Sequence, residues 1–357
     1  MSDKPDRTEI PIRGRGSSDN PVNRFEGYYT DYELDEESGQ KPSPETKYYP
    51  DHSDTVIATN DSPDIPFDKS INPYRGCEHG CVYCYARPTH EYLGFSAGLD
   101  FESRIMVKQR APELLRARLA SPDWEPEVLV MSGVTDPYQP VERELEITRR
   151  CLEVLAEFLN PVGIITKNHL VTRDIDLLKT LAEHRAACVT LSITTLDREL
   201  ARTMEPRTSR PQRRLEAIEE LAAHGIPAGV NVAPIIPGLT DHECPKILEA
   251  AAEAGASYAG YTLIRLPHGV KELFPKWLEQ HFPERKDKVL NRIKDMRGGK
   301  LNDPRFGNRM RGEGNFARQI RHMFHLHADR YGLSNDEIQL RTGSFRPGPG
   351  SQLGLFS

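Results

Sequence analysis

Three cysteines within eight residues, Cys77-Glu-His-Gly-Cys81-Val-Tyr-Cys84, constrain this chain more than any other feature. Thiolates this close in sequence converge on one metal centre from a single loop. Two metals suit the spacing. A 4Fe–4S cubane normally takes four cysteines, so three leave one iron without a protein ligand and open to a small molecule. Open and closed zinc sites differ by the same logic. The alternative is a zinc ion that takes His79 or His90 as its fourth ligand, which makes the chain a non-catalytic interaction protein. Cys151, Cys188 and Cys244 stand singly in apolar or helical contexts and read as ordinary buried thiols.

The rest of the composition narrows the class. No apolar run approaches the roughly 18 residues of a membrane span, and the first residues lack the apolar core of a signal peptide. Clustered cysteines do not suggest a disulfide framework. A soluble cytoplasmic protein without a membrane partner is expected. The hydrophobic fraction is 37%, low for a chain packed throughout. The net charge of −6 conceals an asymmetry. Residues 1–64 carry 7 Lys and Arg against 15 Asp and Glu, whereas 265–346 carry 18 against 10. A basic C-terminal third suits a phosphate-rich partner; it equally suits a solvated helical surface.

Residues 1–55 are polar and acidic, with too few apolar side chains to offset ordering entropy, and are expected to be disordered. Asn23-Arg24-Phe25-Glu26 and Tyr28-Tyr29 are the candidates there for docking on the folded body. From 65 to 265 short apolar strands alternate with amphipathic helices. Strands are predicted at Ser70–Tyr74, Val128–Met131, Val162–Thr166, Cys188–Ile193, Ala228–Ala233 and Tyr258–Leu263. Leu145, Thr148, Leu152, Leu155 and Leu159 share one face of the helix after the second strand. Gly225 and Gly255 close later helices as C-terminal caps. Such alternation means parallel pairing with right-handed crossovers, and six units are too few for a closed eightfold barrel. The predicted fold is α/β, a partial (βα)6 TIM-like barrel with its site at the C-terminal strand ends. A basic helical extension follows over 266–341, with helices near 270–280, 284–296 and 315–331. A Gly- and Arg-rich loop at 297–314 lies between the last two. Residues 342–357 form a flexible tail.

The aromatic Tyr83 before the last cysteine makes the loop C-x3-C-x-aromatic-C, which resembles the radical S-adenosylmethionine (SAM) superfamily. Gly76-Cys77, Tyr83-Cys84-Tyr85-Ala86-Arg87, Ser132-Gly-Val-Thr-Asp-Pro-Tyr-Gln139, Thr166-Lys167, Glu205-Pro-Arg-Thr208 and Pro234-Ile-Ile-Pro-Gly238 resemble its spore photoproduct lyase-like (DNA repair photolyase-like) branch. The run from Ser70 through Cys81, continued by His90 to Asp100, resembles an uncharacterised bacterial subgroup of that branch. The likeness covers 65–265 well and the C-terminal third less specifically.

The resemblance implies that Cys77, Cys81 and Cys84 hold a 4Fe–4S cluster and that its open iron chelates SAM. One electron, from a flavodoxin- or ferredoxin-like donor, then yields a 5′-deoxyadenosyl radical. By position, Ser132, Gly133, Thr135 and Asp136 meet the amino group of SAM, Lys167 its carboxylate, and Ser192 or Thr194 the ribose hydroxyls. Tyr83 and Ile236 flank the adenine. Lys167, Ser192 and Thr194 also read as polar strand ends, and Asp136 as a helix cap. Tyr85 matches a family tyrosine suited to radical quenching, or else simply packs. One departure stands out. Spore photoproduct lyases carry a hydrogen-donating cysteine near the second strand, whereas residues 128–138 here contain none; Met131 and Ser132 occupy that stretch.

Two further features lie near the C-terminus. His322 and His325 share a helix face without a convincing carboxylate, and read as surface histidines. Gln352-Leu353-Gly354-Leu355-Phe356 resembles the peptide by which bacterial DNA-processing proteins bind the β sliding clamp, with Leu355 and Phe356 as pocket anchors. The competing reading docks these side chains on their own domain. Together these features point to a radical SAM enzyme of lyase or DNA-repair type acting on damaged or modified DNA. RNA or a peptide is the alternative substrate.

Overall fold

The computed structural model describes residues 11–26, 43–65, 67–336 and 338–347. Its strands are β1 (Lys47–Pro50), β2 (Ile57–Thr59), β3 (Lys69–Ile71), β4 (Tyr74–Arg75), β5 (Arg104–Val107), β6 (Leu129–Met131), β7 (Val162–Thr166), β8 (Ala187–Ser192), β9 (Ala228–Ile235) and β10 (Tyr258–Leu263). A seven-stranded sheet runs in the order β10-β9-β8-β7-β6-β3-β2. Neighbours from β3 to β10 are parallel, and β2 pairs antiparallel with β3. The six parallel strands are those predicted, in chain order across the sheet. The first differs in extent: Tyr74 leaves the sheet to pair, in β4, with β5.

Apolar periodicity explains this core. Val162, Ile164, Val189, Leu191, Val230 and Val232 are fully buried in the central strands. The helix Ile147–Phe158 buries Thr148, Leu152 and Leu155 as its sequence face required, and Leu145 and Leu159 pack beside them. Helices Ile175–Glu183, Pro211–Ala223 and Cys244–Glu253 fill the other crossovers. Gly225 (φ 74°) and Gly255 (φ 90°) end two of them in the left-handed region, as expected of C-terminal caps. Removing such a side chain from water stabilises by about 1.5–3 kcal/mol. The β10 edge is partly covered by the chain after the last helix, where Ala259 N–H donates to Ser334 O at 2.9 Å and Ser334 N–H to Ser257 O at 3.1 Å.

The C-terminal helices form at Val270–His281, Pro283–Asp295 and Gly314–Arg330. His322 and His325 are exposed on the last of these. Beyond it the chain is better anchored than expected. Arg346 N–H donates to Phe158 O at 2.8 Å, and Phe345 packs on Phe158. The predicted flexible tail therefore does not include 342–347. Gln352, Leu353, Leu355 and Phe356 lie outside the described residues.

The N-terminal expectation needs a larger correction. Disorder over 1–55 does not hold for the described residues 11–26 and 43–55. Strand β1 pairs in parallel with β5 in a small second sheet, order β1-β5-β4. Residues 11–26 lie as a strap against the segment that follows the cysteines. Gly16 N–H and Ser17 N–H donate to the Glu102 carboxylate at 3.0 and 2.9 Å. Asn20 exchanges hydrogen bonds with Asp100 at 3.1 and 3.0 Å. Asn23 holds Glu91 O and Phe95 O, and Arg24 pairs with Glu91 at 2.6 Å. At its other flank the strap reaches the helix Val270–His281 through Asp19–Lys276 and Ser18–Gln280. These are polar contacts between residues 67 to 262 positions apart, so composition gives no sign of them.

Gly16 lies so close to the cysteine loop that a Cβ there would sit 1.7 Å from Gly80 O. Gly16→Ala is accordingly expected to lift the strap. Limited proteolysis should cut the variant within 11–26 while the wild type resists; equal resistance would refute the contact. Glu102→Ala should lower stability by about 3–5 kcal/mol, because it leaves buried Arg87 unpaired. Urea denaturation measures this.

Candidate active site

The cysteine loop begins just beyond β3 and is fixed by backbone geometry. Gly76 (φ 80°) and Gly80 (φ 67°) adopt left-handed conformations that favour glycine. Cys77 N–H donates to Phe101 O at 2.9 Å. Arg87, fully buried, ties the loop to the segment that follows: Nε donates to Cys81 O at 2.9 Å, Nη2 to Gly80 O at 3.1 Å, and Nη1 to Ala97 O and Gly98 O at 3.1 and 2.9 Å. Its charge is matched by the equally buried Glu102. Arg87 appears in the sequence motif, yet nothing local indicates that it holds four carbonyls.

Burial pushes the pKa values of all three thiols up. At Cys77 the Asp136 carboxylate and Cys81 add to this, and at Cys81 the Glu205 carboxylate does. Neutral thiols are the cost of that environment, and a metal centre that binds them as thiolates removes it. Of the two suggested histidines, His79 is engaged within the protein, whereas both ring nitrogens of His90 are buried without a hydrogen-bond partner among the described residues. His79 is held by Asp136 at 3.3 Å and Asn168 at 3.4 Å. His90 stacks on Phe95 and meets Phe101 edge-on, and burial lowers its pKa to about 4. Three thiols on one loop, each disfavoured as a free thiolate by burial, are a donor set that fits a cluster on three cysteines.

Every other predicted residue follows, or ends, one of the parallel strands. Ser132, Gly133, Thr135 and Asp136 follow β6, Lys167 follows β7, Ser192 ends β8 with Thr194 beyond it, and Ile236 follows β9. Ser132 has φ 97°, rare for a residue with a Cβ, and its N–H donates to Ile71 O at 3.2 Å. A Cβ at Gly133 would press on Ser70 Oγ at 2.9 Å. Thr135 Oγ1 donates to Tyr74 O at 2.8 Å, and Asn72 Oδ1 accepts Val134 N–H at 2.9 Å. Gln139 joins this turn to the cysteine loop by accepting Glu78 N–H at 2.9 Å. Tyr85 is 45% exposed, and its hydroxyl donates to Gly133 O at 2.9 Å.

Asp136 and Lys167 have partners within the protein. Asp136 accepts Thr166 Oγ1–H at 2.7 Å, Lys167 N–H at 2.8 Å and Tyr138 N–H at 2.9 Å. Burial raises its pKa, but His79 and these donors outweigh burial and hold the carboxyl below its ordinary value. Lys167 Nζ reaches Ala233 O at 2.9 Å, Thr194 Oγ1 at 3.1 Å and Glu205 at 3.1 Å. Glu205 also takes Tyr83 Oη–H, Thr194 Oγ1–H and the buried Arg214. Burial of Glu205 is outweighed by Arg214 and then Lys167, so the carboxylate stays ionised well below the usual range. A ligand that takes Lys167 or Asp136 has to exchange it from these partners. Tyr83 and Ile236 belong to one buried apolar cluster with Cys81. Arg214 also donates to Ser192 O at 2.8 Å. Glu205 stood in a quoted motif without a role; its partners lie up to 122 residues away. A cleft of about 700 Å³ opens elsewhere, between Leu200, His242 and Arg285, and none of these site residues lines it.

Comparison with known proteins decides what this constellation belongs to. The sequence profile of the radical SAM superfamily matches residues 71–251, just over half of the chain. The chain belongs to the radical SAM superfamily. Its members use a 4Fe–4S cluster and SAM. An uncharacterized protein of Mycobacterium tuberculosis is 37% identical over 222 residues, 62% of this chain and 65% of its own. This radical SAM chain thus spans under two thirds of the length of that relative. A protein of Pseudomonas phage M6 named radical SAM Nalpha-GlyT isomerase is 27% identical over 173 residues, 48% of this chain and 34% of its own. Among solved structures, a spore photoproduct lyase variant with bound AdoMet and dinucleoside spore photoproduct superposes with a TM-score of 0.55 and 19% identity, over 78% of this chain and 79% of that one. At that identity the likeness is one of fold: mixed α/β with a parallel sheet.

Because Glu205 joins Tyr83, Thr194, Lys167 and Arg214, Glu205→Ala is expected to cost about 3–5 kcal/mol by stranding buried Arg214. Chemical denaturation of the anaerobic protein checks it. A loss below about 1 kcal/mol would mean that the network is a surface feature.

Proposed function

We propose that this radical SAM protein is an enzyme that reductively cleaves SAM at a 4Fe–4S cluster held by Cys77, Cys81 and Cys84, and that it acts on damaged or modified DNA. One observation carries the reading: the three-cysteine loop and the groups proposed to hold SAM all stand at the C-terminal ends of consecutive parallel strands. That is where α/β sheets of this kind bind ligands. When bound, cluster and SAM supply a 5′-deoxyadenosyl radical; the chain's own residues hold, orient and enclose them. We take the six parallel strands to be wrapped as a partial (βα)6 barrel round that centre. In this reading Ser132, Gly133, Thr135 and Asp136 serve the amino group of SAM, Lys167 its carboxylate, Ser192 or Thr194 the ribose, and Tyr83 with Ile236 the adenine. Tyr85 faces the reacting centre from the exposed side.

Support for a nucleic acid comes from the fold shared with spore photoproduct lyase and from the basic C-terminal third. The reaction differs from that of the lyase in its closing step. Residues 128–138 contain no cysteine, and Cys151, Cys188 and Cys244 are placed on other elements with burial pushing their pKa values up. Further parts of the proposal are cytoplasmic location, a flavodoxin- or ferredoxin-like electron donor, and recruitment by a β sliding clamp through Gln352, Leu353, Leu355 and Phe356. Among the described residues no helix is long and apolar enough to cross a membrane.

Anaerobic reconstitution should give a brown protein with about four irons per chain, and Cys81→Ala should lose the colour. A colourless protein with one zinc would refute the assignment. Release of 5′-deoxyadenosine should rise several-fold with DNA and not with RNA or peptide; the reverse preference would move the substrate class. Leu355→Ala with Phe356→Ala should abolish clamp capture in a pull-down, and unchanged capture would remove the clamp from the proposal.

A further inference from the structure

Arg265 lies two residues beyond β10, at the same end of the sheet as the cysteine loop. Its guanidinium stacks on the Tyr85 ring at 4.2 Å. Among the described residues it has no hydrogen-bond acceptor and no carboxylate partner, and its buried Nε is unsatisfied. Neighbouring cations are differently placed. Arg309 pairs with Asp64 at 2.6 Å and reaches Ser62. Arg297 donates to Asn308 O and Ile264 O, both at 2.7 Å. Asp64, the carboxylate close enough to influence Arg265, is already held by Arg309 and by Gly307 N–H at 2.6 Å. Arg297 shares an unsatisfied buried Nε but spends its Nη groups on carbonyls, whereas Arg265 has, among the described residues, neither an acceptor nor a carboxylate of its own; the negative groups that reach it are Cys84 and the shared Asp64. Burial lowers its pKa from the ordinary value, so an incoming anion would relieve a cost already present.

What the anion is follows from the surroundings. A guanidinium lying 4.2 Å over the Tyr85 ring leaves its terminal N–H groups for a ligand, and two of them can meet two oxygens of one phosphate. Tyr85 is 45% exposed and Val134, beside Gly133, is 38% exposed, so the position opens on the same side as the reacting centre. An exposed aromatic ring beside a free cation is the combination that single-stranded nucleic acids bind, base on ring and phosphate on cation. We propose that Arg265 is a phosphate-recognition residue on the open side of the site, where its guanidinium, held against Tyr85, binds a backbone phosphate next to the nucleotide under reaction. This rests on the nucleic-acid reading above and assigns the contact that reading lacks.

The test uses the full-length, cluster-loaded protein and a fluorescein-labelled single-stranded DNA, with anisotropy titrated against potassium chloride under anaerobic conditions. Arg265→Gln is expected to weaken binding on the order of tenfold and to reduce the slope of log affinity against log salt by about 0.7, the loss of one phosphate contact. Arg265→Lys should keep the slope and recover part of the affinity. The dissociation constant for SAM, measured by equilibrium dialysis, should be unchanged in both variants. Retained cluster absorption shows that the variants are folded. If wild type and Arg265→Gln bind DNA equally, the proposal fails while the nucleic-acid reading stands. The proposal also fails if SAM affinity falls and DNA affinity does not, because the guanidinium then serves the SAM carboxylate. A wild type that binds no DNA overturns both.

Discussion

The buried pair of Arg87 and Glu102 holds the candidate site together. Arg87 supplies donors to two carbonyls of the cysteine loop and two of the segment at 97–98, and Glu102 supplies acceptors to two amides of the N-terminal strap. Each would be costly to bury alone. Joined, they convert a glycine-rich loop with little apolar content into a fixed frame for three cysteines. The loop needs such a frame because its own backbone forms no regular ladder. A second buried group, Glu205 with Arg214, plays the corresponding part on the opposite wall, where it ties the β8 end, Lys167 and Tyr83 into one network. Catalytic sites gain from such support because the groups that touch ligand then need little rearrangement.

Much of the scaffold was legible from the sequence. Strands β7 and β10 fall on the residues that alternation marked, and β9 runs two residues longer. Apolar content is a local signal, and of these strands it is strongest in β7, where four of five residues are buried. The second sheet was not legible, because β1 and β5 are short and half polar, and each is fixed by a partner about 57 residues away. The strap was hidden for a related reason. Its contacts come from amides, asparagines and single ion pairs that composition counts as disorder-promoting.

At the site, the cysteines, Tyr83 and the strand-end residues could be named because they fall in contiguous motifs. Their partners could not. The occupancy of Lys167 by Glu205, and of Asp136 by Thr166 and His79, depends on which strand ends meet. Arg265 carried no sequence signal at all, since an arginine after a strand is unremarkable until its Nε proves to be buried without an acceptor.

The strap also has a consequence in time. Its docking surface is built from Gly80 and Glu102 on one side and from Lys276 and Gln280 on the other. A chain synthesised from its N-terminus cannot complete that surface until residue 280 has left the ribosome. Until then Lys276 and Gln280 cannot reach Asp19 and Ser18, and the strap can be held only on the side of Gly80 and Glu102. The order of synthesis therefore lets the strap close on the cysteine loop first and on the helix Val270–His281 last.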